Sequence, residues 1–338
     1  MERGASTLPR EPVVRLGSLR NQKPTANLPP VSKVLVVGLP RSGTSWVGNA
    51  LGRAPDTVYV HEPDGDHDPF AFRARRASFI TPTLAPGDPA PELERLWRGA
   101  FAGGQRPVTV RSRLAWRRYR LSPVDQRWDA WLEGRVSPGL KVISALAVPR
   151  EATTGNRHVV AKSVRAEWNV EWIADRFAPT VVIVERHPLN VLASWSELGF
   201  GKDARAIPGL GRAAQARWGV SPPAAGSPLI ARQAFVYGVG ATALHEARVR
   251  NPQWICVRHD DLCVDPATSV RALIAEVGLE WGAATEHYLT ESDREGSGYH
   301  TQRRAEEQPE RWRTRLSPEQ VETILTTLAR FPAPIIPS

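Results

Sequence analysis

An uninterrupted aliphatic run, Val34-Leu35-Val36-Val37, ends at Gly38 and continues as Leu39-Pro40-Arg41-Ser42-Gly43-Thr44-Ser45. Four consecutive aliphatic residues offer no polar face. As a strand they fit only the interior of a sheet covered on both sides. The residues from Thr44 to about Arg53 have helical character. A buried strand that turns through closely spaced glycines into a helix begins a βαβ unit, and such units build parallel sheets with helices on both faces.

The rest of the chain repeats this alternation. Strand-like runs are expected at Thr57–Val60, closed by His61-Glu62-Pro63, and at His158–Lys162, Thr180–Val184 and Gln253–Val257. Helices are expected at Glu167–Phe177, Pro188–Leu198, Ile230–Arg248, Pro266–Val277 and Pro318–Arg330, with Pro188 suited to a first helical position. Between residues 64 and 156 the periodicity weakens under proline and glycine clusters, and Trp97, Trp116, Trp128 and Trp131 are scattered through it. Residues 1–30 carry no apolar periodicity and read as a flexible arm. The predicted architecture is α/β: a P-loop-like three-layer sandwich with a central, mostly parallel sheet and a long helical or irregular insertion. One domain, residues 31–331, is expected, with 64–156 as the insertion.

Composition narrows the function classes. Among 338 residues no run approaches the roughly 18 apolar residues needed to cross a bilayer. Glu2, Arg3, Arg10 and Glu11 are followed by no apolar segment, so no secretory signal is expected and the default address is the cytoplasm. The two cysteines, Cys256 and Cys263, form no CxxC pair, and no metal-ligand spacing is present. A net charge of +9 suits an anionic ligand, and equally nucleic acid or a membrane surface. No zinc-finger or RNP-type pattern points to nucleic acid.

Glycines at positions 38 and 43 give the spacing G-x-x-x-x-G of a phosphate-binding loop, in which backbone N–H groups and a helix N-terminus face the anion. Thr44 occupies the position where a Walker loop carries the lysine that neutralises the β- and γ-phosphates. Arg41 places a positive charge earlier in the loop. The loop is therefore poorly suited to a triphosphate, and a kinase or nucleotidase with an atypical loop is the alternative.

Pro40-Arg41-Ser42-Gly43-Thr44-Ser45-Trp46 resembles the 5′-phosphosulfate loop of sulfotransferases that use 3′-phosphoadenosine 5′-phosphosulfate (PAPS). The likeness is to bacterial carbohydrate or lipid enzymes and, in motifs, to the tyrosylprotein and heparan sulfate enzymes. The resemblance implies that Arg41, Ser42, Gly43, Thr44 and Ser45 surround the phosphosulfate. Val181–Pro188, continuing to Ser194, resembles the family's second signature, which implies that Arg186 and Ser194, eight positions later, contact the 3′-phosphate. Arginine offers a fork of donors matched to phosphate oxygens. Val257-Arg258-His259-Asp260-Asp261-Leu262 is similar to the family's V-R-Y-E-D-L stretch, with His259 in place of tyrosine. Gly298–Arg303 resembles the loop that closes over the nucleotide, which implies contacts from Thr301 and Arg303.

Sulfuryl transfer to a hydroxyl needs a base for its proton and positive charge for the departing phosphate. Glu62, at the end of the second strand, is the expected base, with His61 as its rival. Since successive strand residues face opposite ways, one of the two should enter the site. Lys162, after a strand, stands where the similar families place a lysine on the bridging oxygen. No metal is signalled. The acceptor is expected to be a hydroxyl, secondarily an amine, on a small molecule, carbohydrate or lipid-linked compound, in a pocket shaped by residues 64–156. Within that insertion, Arg111–Arg120 combines arginines with Trp116 and Tyr119, as either an acceptor-binding surface or a solvated helix face.

Overall fold

The computed structural model describes residues 31–65, 71, 83–107, 110–121, 138–146, 149–151, 157–200, 207–224, 226–294 and 304–335. Its centre is a five-stranded sheet made of β1 (Lys33–Val37), β2 (Thr57–His61), β5 (His158–Ser163), β6 (Thr180–Glu185) and β7 (Ile255–Arg258), in the order β2-β5-β1-β6-β7. Every pairing in it is parallel. The remaining strands, β3 (Gln105–Pro107) and β4 (Pro149–Glu151), form a separate antiparallel pair within the insertion.

The aliphatic run of β1 behaves as its composition requires. Val34, Leu35, Val36 and Val37 are all fully buried. Leu35 and Val37 join one core with Val159, Ala161, Val181 and Ile183, while Val34 and Val36 join a second with Val160, Val182 and Val184. Alternate side chains thus enter opposite layers, as strand geometry dictates. The first core is covered by helices Pro91–Phe101, Val170–Phe177, Pro188–Leu198, Leu229–Arg250 and Pro318–Leu328, which supply Trp97, Trp172, Val191, Tyr237 and Ile324. The second is covered by Thr44–Leu51, Pro266–Glu276 and Ala283–Ser292, which supply Leu51, Leu273 and Leu289. At roughly 1.5–3 kcal/mol for each fully buried large aliphatic side chain, this double layer outweighs any single polar contact in the molecule.

The helix expected from Glu167 begins instead at Val170. Asn169 donates its N–H to Ala166 O, so the residues before the helix form a turn. The insertion is more regular than its sequence suggests. Helices Val110–Arg120 and Pro138–Leu146 lie within it alongside Pro91–Phe101, whose Trp97 is fully buried in the main core. Trp128 and Trp131 lie outside the described residues.

Because the central strands are parallel, their carboxyl ends share one edge of the sheet. β1 opens there into the glycine loop, β2 into Glu62, β5 ends at Lys162-Ser163, and β6 runs into Arg186. In open α/β sheets this edge, where connections leave in opposite directions, is the usual ligand crevice.

Candidate active site

The glycine loop is held in shape by its own backbone and by close neighbours. Ser42 N–H donates to Leu39 O at 3.1 Å, and Arg41 and Gly43 both have left-handed backbones, with φ of +71° and +97°. Gly43 caps helix Thr44–Leu51. A Cβ at Gly43 would lie 2.1 Å from His259 Cδ2, so a side chain there is excluded by contact as well as by conformation. At Gly38 a Cβ would meet Val184 O at 2.4 Å. Trp195 Nε1 donates to Pro40 O at 2.9 Å and pins the outer arm of the turn. Trp46 and Val47 N–H donate to Gly43 O at 3.0 and 3.1 Å, and the N-terminus of the helix carries the positive end of its dipole at the loop.

Arg41, Ser194 and Arg186 meet at this loop. Arg41 Nε donates to Ser194 Oγ at 3.0 Å, and Arg186 Nη1 donates to Arg41 O at 3.2 Å. Residues 153 and 145 positions apart in sequence are thereby in direct contact. The Arg186 side chain is largely buried. Its Nη2 donates to Gln308 Oε1 at 3.1 Å, and its Nε makes no hydrogen bond but lies 3.9 Å from Asp260 Oδ1. Burial pulls the guanidinium below the ordinary arginine pKa, and the Asp260 carboxylate opposes that pull. Ser42 Oγ, also buried, has no hydrogen-bond partner. Buried polar atoms without partners are uncommon in folded proteins. Both atoms lie at this sheet edge.

Asp260 organises the surroundings of Arg186. Its Oδ2 accepts from His187 N–H at 2.8 Å and its Oδ1 from Asn190 Nδ2 at 3.4 Å. Asn190 Oδ1 accepts in turn from Trp312 N–H at 3.0 Å, and the Trp312 and His187 rings stack with centroids 5.9 Å apart. Tyr237 hydroxyl donates to Arg186 O at 3.2 Å. His259 packs edge-on against Trp46, and its burial beside Arg186 holds its imidazole well below the usual histidine range, so it is neutral at pH 7. His259 thus forms one wall of the loop.

A second cluster lies on the other side of β1. The β5 residue Lys162 pairs in register with Val36 of β1 and His61 of β2, and its side chain is 1% exposed. It runs beneath helix Thr44–Leu51, where a Cβ at Gly48 would stand 3.2 Å from Lys162 Cβ. Lys162 Nζ donates to Glu62 Oε1 at 2.5 Å, and Glu62 N–H donates to Lys162 O at 2.8 Å. Burial works to raise the Glu62 pKa, but the charge and hydrogen bond of Lys162, with His61 and Arg165, hold it below the usual carboxylate range. Burial pulls Lys162 below the ordinary lysine value, partly offset by Glu62 and Asp64. Next to the pair, buried Asp64 accepts from Ser163 Oγ at 2.7 Å.

His61 and Glu62 stand side by side at this edge, the first exposed and the second partly buried. Glu62 lies one residue past β2 with a left-handed φ of +43°, which ends the strand's alternation. His61 Nε2 consequently lies 3.8 Å from Glu62 Oε1, while its Nδ1 contacts the Tyr59 hydroxyl at 3.0 Å. Such a backbone at a non-glycine residue costs about 1–3 kcal/mol and persists where surrounding structure imposes it. Thr44 is buried and Ser45 half-buried in the first helical turn. Thr301 and Arg303 lie outside the described residues. Sequence reasoning missed the partnership of Arg186 with Asp260 and Gln308. The only local signal was the acidic pair after β7.

No family model and no curated protein matches the chain. Among solved structures it is similar to the sulfotransferase domain from the curacin biosynthetic pathway, at 12% identity over 90% of this chain and 99% of that one, with a TM-score of 0.46. It is also similar to the sulfotransferase domain of the Synechococcus PCC 7002 olefin synthase, at 13% identity over 91% and 98% of the two chains, with a TM-score of 0.44. A third likeness is to the sulfotransferase STF1 of Mycobacterium tuberculosis, at 15% identity over 89% and 77%, with a TM-score of 0.42.

Proposed function

We propose that this chain is a sulfotransferase that moves a sulfuryl group from PAPS to a hydroxyl, or secondarily an amine, of a small-molecule, carbohydrate or lipid-linked acceptor. The reading rests on one observation. A phosphate-type loop without the Walker lysine is joined directly to Arg186 and Ser194, with a buried Glu62–Lys162 pair on the neighbouring strand end. Strands β5 and β6 flank β1, so at about 4.8 Å per strand the two clusters span roughly 10 Å. The loop and Arg186 would take the two anionic groups of one nucleotide, with the Glu62–Lys162 pair beside them at the same sheet edge.

The residues fit such a donor. Arg41, Ser42, Gly43, Thr44 and Ser45 would hold its 5′-phosphosulfate through N–H groups, hydroxyls and one guanidinium. Arg186 and Ser194 would take its 3′-phosphate, with Thr301 and Arg303 proposed as further contacts. Ser42 Oγ, buried in the loop without a hydrogen-bond partner, is compatible with an oxyanion ligand there. When bound, PAPS supplies an activated sulfuryl group on a phosphate leaving group.

Glu62 accepts the proton of the acceptor hydroxyl as its oxygen bonds to sulfur. Its depressed pKa keeps it ionised, ready as a base, at neutral pH. Lys162 holds Glu62 in place and supplies positive charge at the bridging oxygen as the sulfur–oxygen bond breaks. Arg41 and the loop N–H groups stabilise the remaining phosphate charge. The kinase or nucleotidase alternative needs a lysine at position 44, where a buried threonine stands. Residues 31–331 would form the single catalytic domain, working in the cytoplasm, with 64–156 shaping the acceptor pocket.

The test is transfer of labelled sulfate from PAPS to a panel of hydroxyl and amine acceptors. The wild-type chain should transfer to at least one class, and Glu62→Gln should lower the rate about 10²- to 10⁴-fold with donor affinity retained. Absence of both transfer and donor binding contradicts the reading.

A further inference from the structure

We propose that the outer face of helices Val110–Arg120 and Pro138–Leu146 is a docking surface for an anionic lipid bilayer. This inference does not depend on the chemistry proposed above. Helix Val110–Arg120 buries Ala115, Trp116 and Tyr119, and Ala115 and Trp116 pack with Ile143 of the neighbouring helix. Its opposite side carries exposed aliphatic residues among its arginines. Val110, Leu114 and Leu121 are 66%, 62% and 76% exposed, and Val142 and Leu146 add 58% and 37% from the second helix. These five make up most of the exposed large hydrophobic residues among the described positions, so the exposure is concentrated on one helix pair.

The charge pattern identifies the partner. At about 100° per residue, Val110, Leu114, Arg117 and Leu121 fall within an arc of roughly 60°. Arg113 borders that stripe on one side, and Arg111 and Arg118 on the other; all four arginines are exposed. Residues 110–121 contain five arginines and no carboxylate, and residues 138–146 add Lys141 and again no carboxylate. An aliphatic stripe rimmed by arginines matches the boundary between acyl chains and anionic headgroups. There aliphatic groups leave water while guanidinium groups extend to phosphate. Duplex nucleic acid would satisfy the arginines but leave Leu114, Leu121 and Val142 against a polar backbone. An acidic protein surface would do the same unless it carried a matching apolar groove.

Co-sedimentation of the full chain with vesicles tests this directly. Mixed phosphatidylglycerol/phosphatidylcholine vesicles should retain the chain, phosphatidylcholine alone should retain it at least about tenfold less, and added salt should release it. Leu114→Ser with Leu121→Ser should reduce retention about tenfold or more, with an unchanged thermal melting midpoint because both side chains are solvent-exposed. Arg113→Ser with Arg117→Ser should reduce the preference for phosphatidylglycerol about tenfold or more. Retention unaffected by the leucine substitutions, equal retention on both vesicle types, no retention at all, or tighter binding to duplex DNA than to vesicles each overturns the proposal.

Discussion

Replacing Glu62 by alanine and Lys162 by methionine, singly and together, probes the buried ion pair through its asymmetry. The lysine side chain is 1% exposed and the glutamate 21%. Glu62→Ala leaves a buried ammonium with only the weaker attraction of Asp64, a loss toward the range of about 3–5 kcal/mol for a broken buried pair. Lys162→Met strands a carboxylate that can rotate toward solvent and keeps His61 nearby, so the cost should be nearer 1–2 kcal/mol. The double variant has no isolated charge and should cost about 1–3 kcal/mol less than the sum. Urea unfolding at pH 7 measures all three. The sign with pH follows from the depressed Glu62 pKa. Its contribution is present above the unfolded value near 4.5 and is lost as pH falls through the lower folded value. The double variant should lack that acid-side loss. Additive costs within about 0.5 kcal/mol, or a larger cost for Lys162→Met than for Glu62→Ala, would refute the reasoning.

Three further outcomes are expected. Gly43→Ala combines a left-handed backbone with a Cβ 2.1 Å from His259, so it should lower stability by about 1–3 kcal/mol and weaken bisphosphate binding; adding His259→Ala should recover only the contact part, read by thermal unfolding. Asp260→Ala removes the carboxylate beside buried Arg186 and should cost about 3–5 kcal/mol in urea unfolding, with Asp260→Asn milder because it still accepts from His187 N–H. The acidic limb of kcat/KM for sulfate transfer should fall below the ordinary glutamate pKa of 4.5 and disappear in Glu62→Gln, as measured by a pH–rate profile.

The layers of the fold were legible where burial leaves a local pattern. Four aliphatic residues in β1 could satisfy only a doubly covered strand, and the glycine spacing marked the loop that follows. Proline at 188 marked a helix start because its fixed φ suits that position. Long-range partnerships left no such trace. Asp260 reaches Arg186 across 74 positions, and nothing in His259-Asp260-Asp261 says which carboxylate turns inward. The shared edge of His61 and Glu62 was hidden for a different reason. Strand alternation is a rule about extended backbone, and the left-handed turn at Glu62 falls outside it. In the insertion, helices Val110–Arg120 and Pro138–Leu146 pack on each other rather than on the central sheet.

Titration calorimetry with adenosine 3′,5′-bisphosphate, adenosine 5′-monophosphate and ATP with magnesium, repeated on Arg186→Ala, tests whether the loop and the Arg186–Ser194 pair hold one nucleotide at two ends. The wild-type chain should prefer the bisphosphate to the monophosphate by about 10- to 10²-fold, as a charge-assisted bond to one added phosphate allows, and Arg186→Ala should erase that preference. Tighter binding of magnesium ATP than of the bisphosphate, or an undiminished preference in Arg186→Ala, would contradict it.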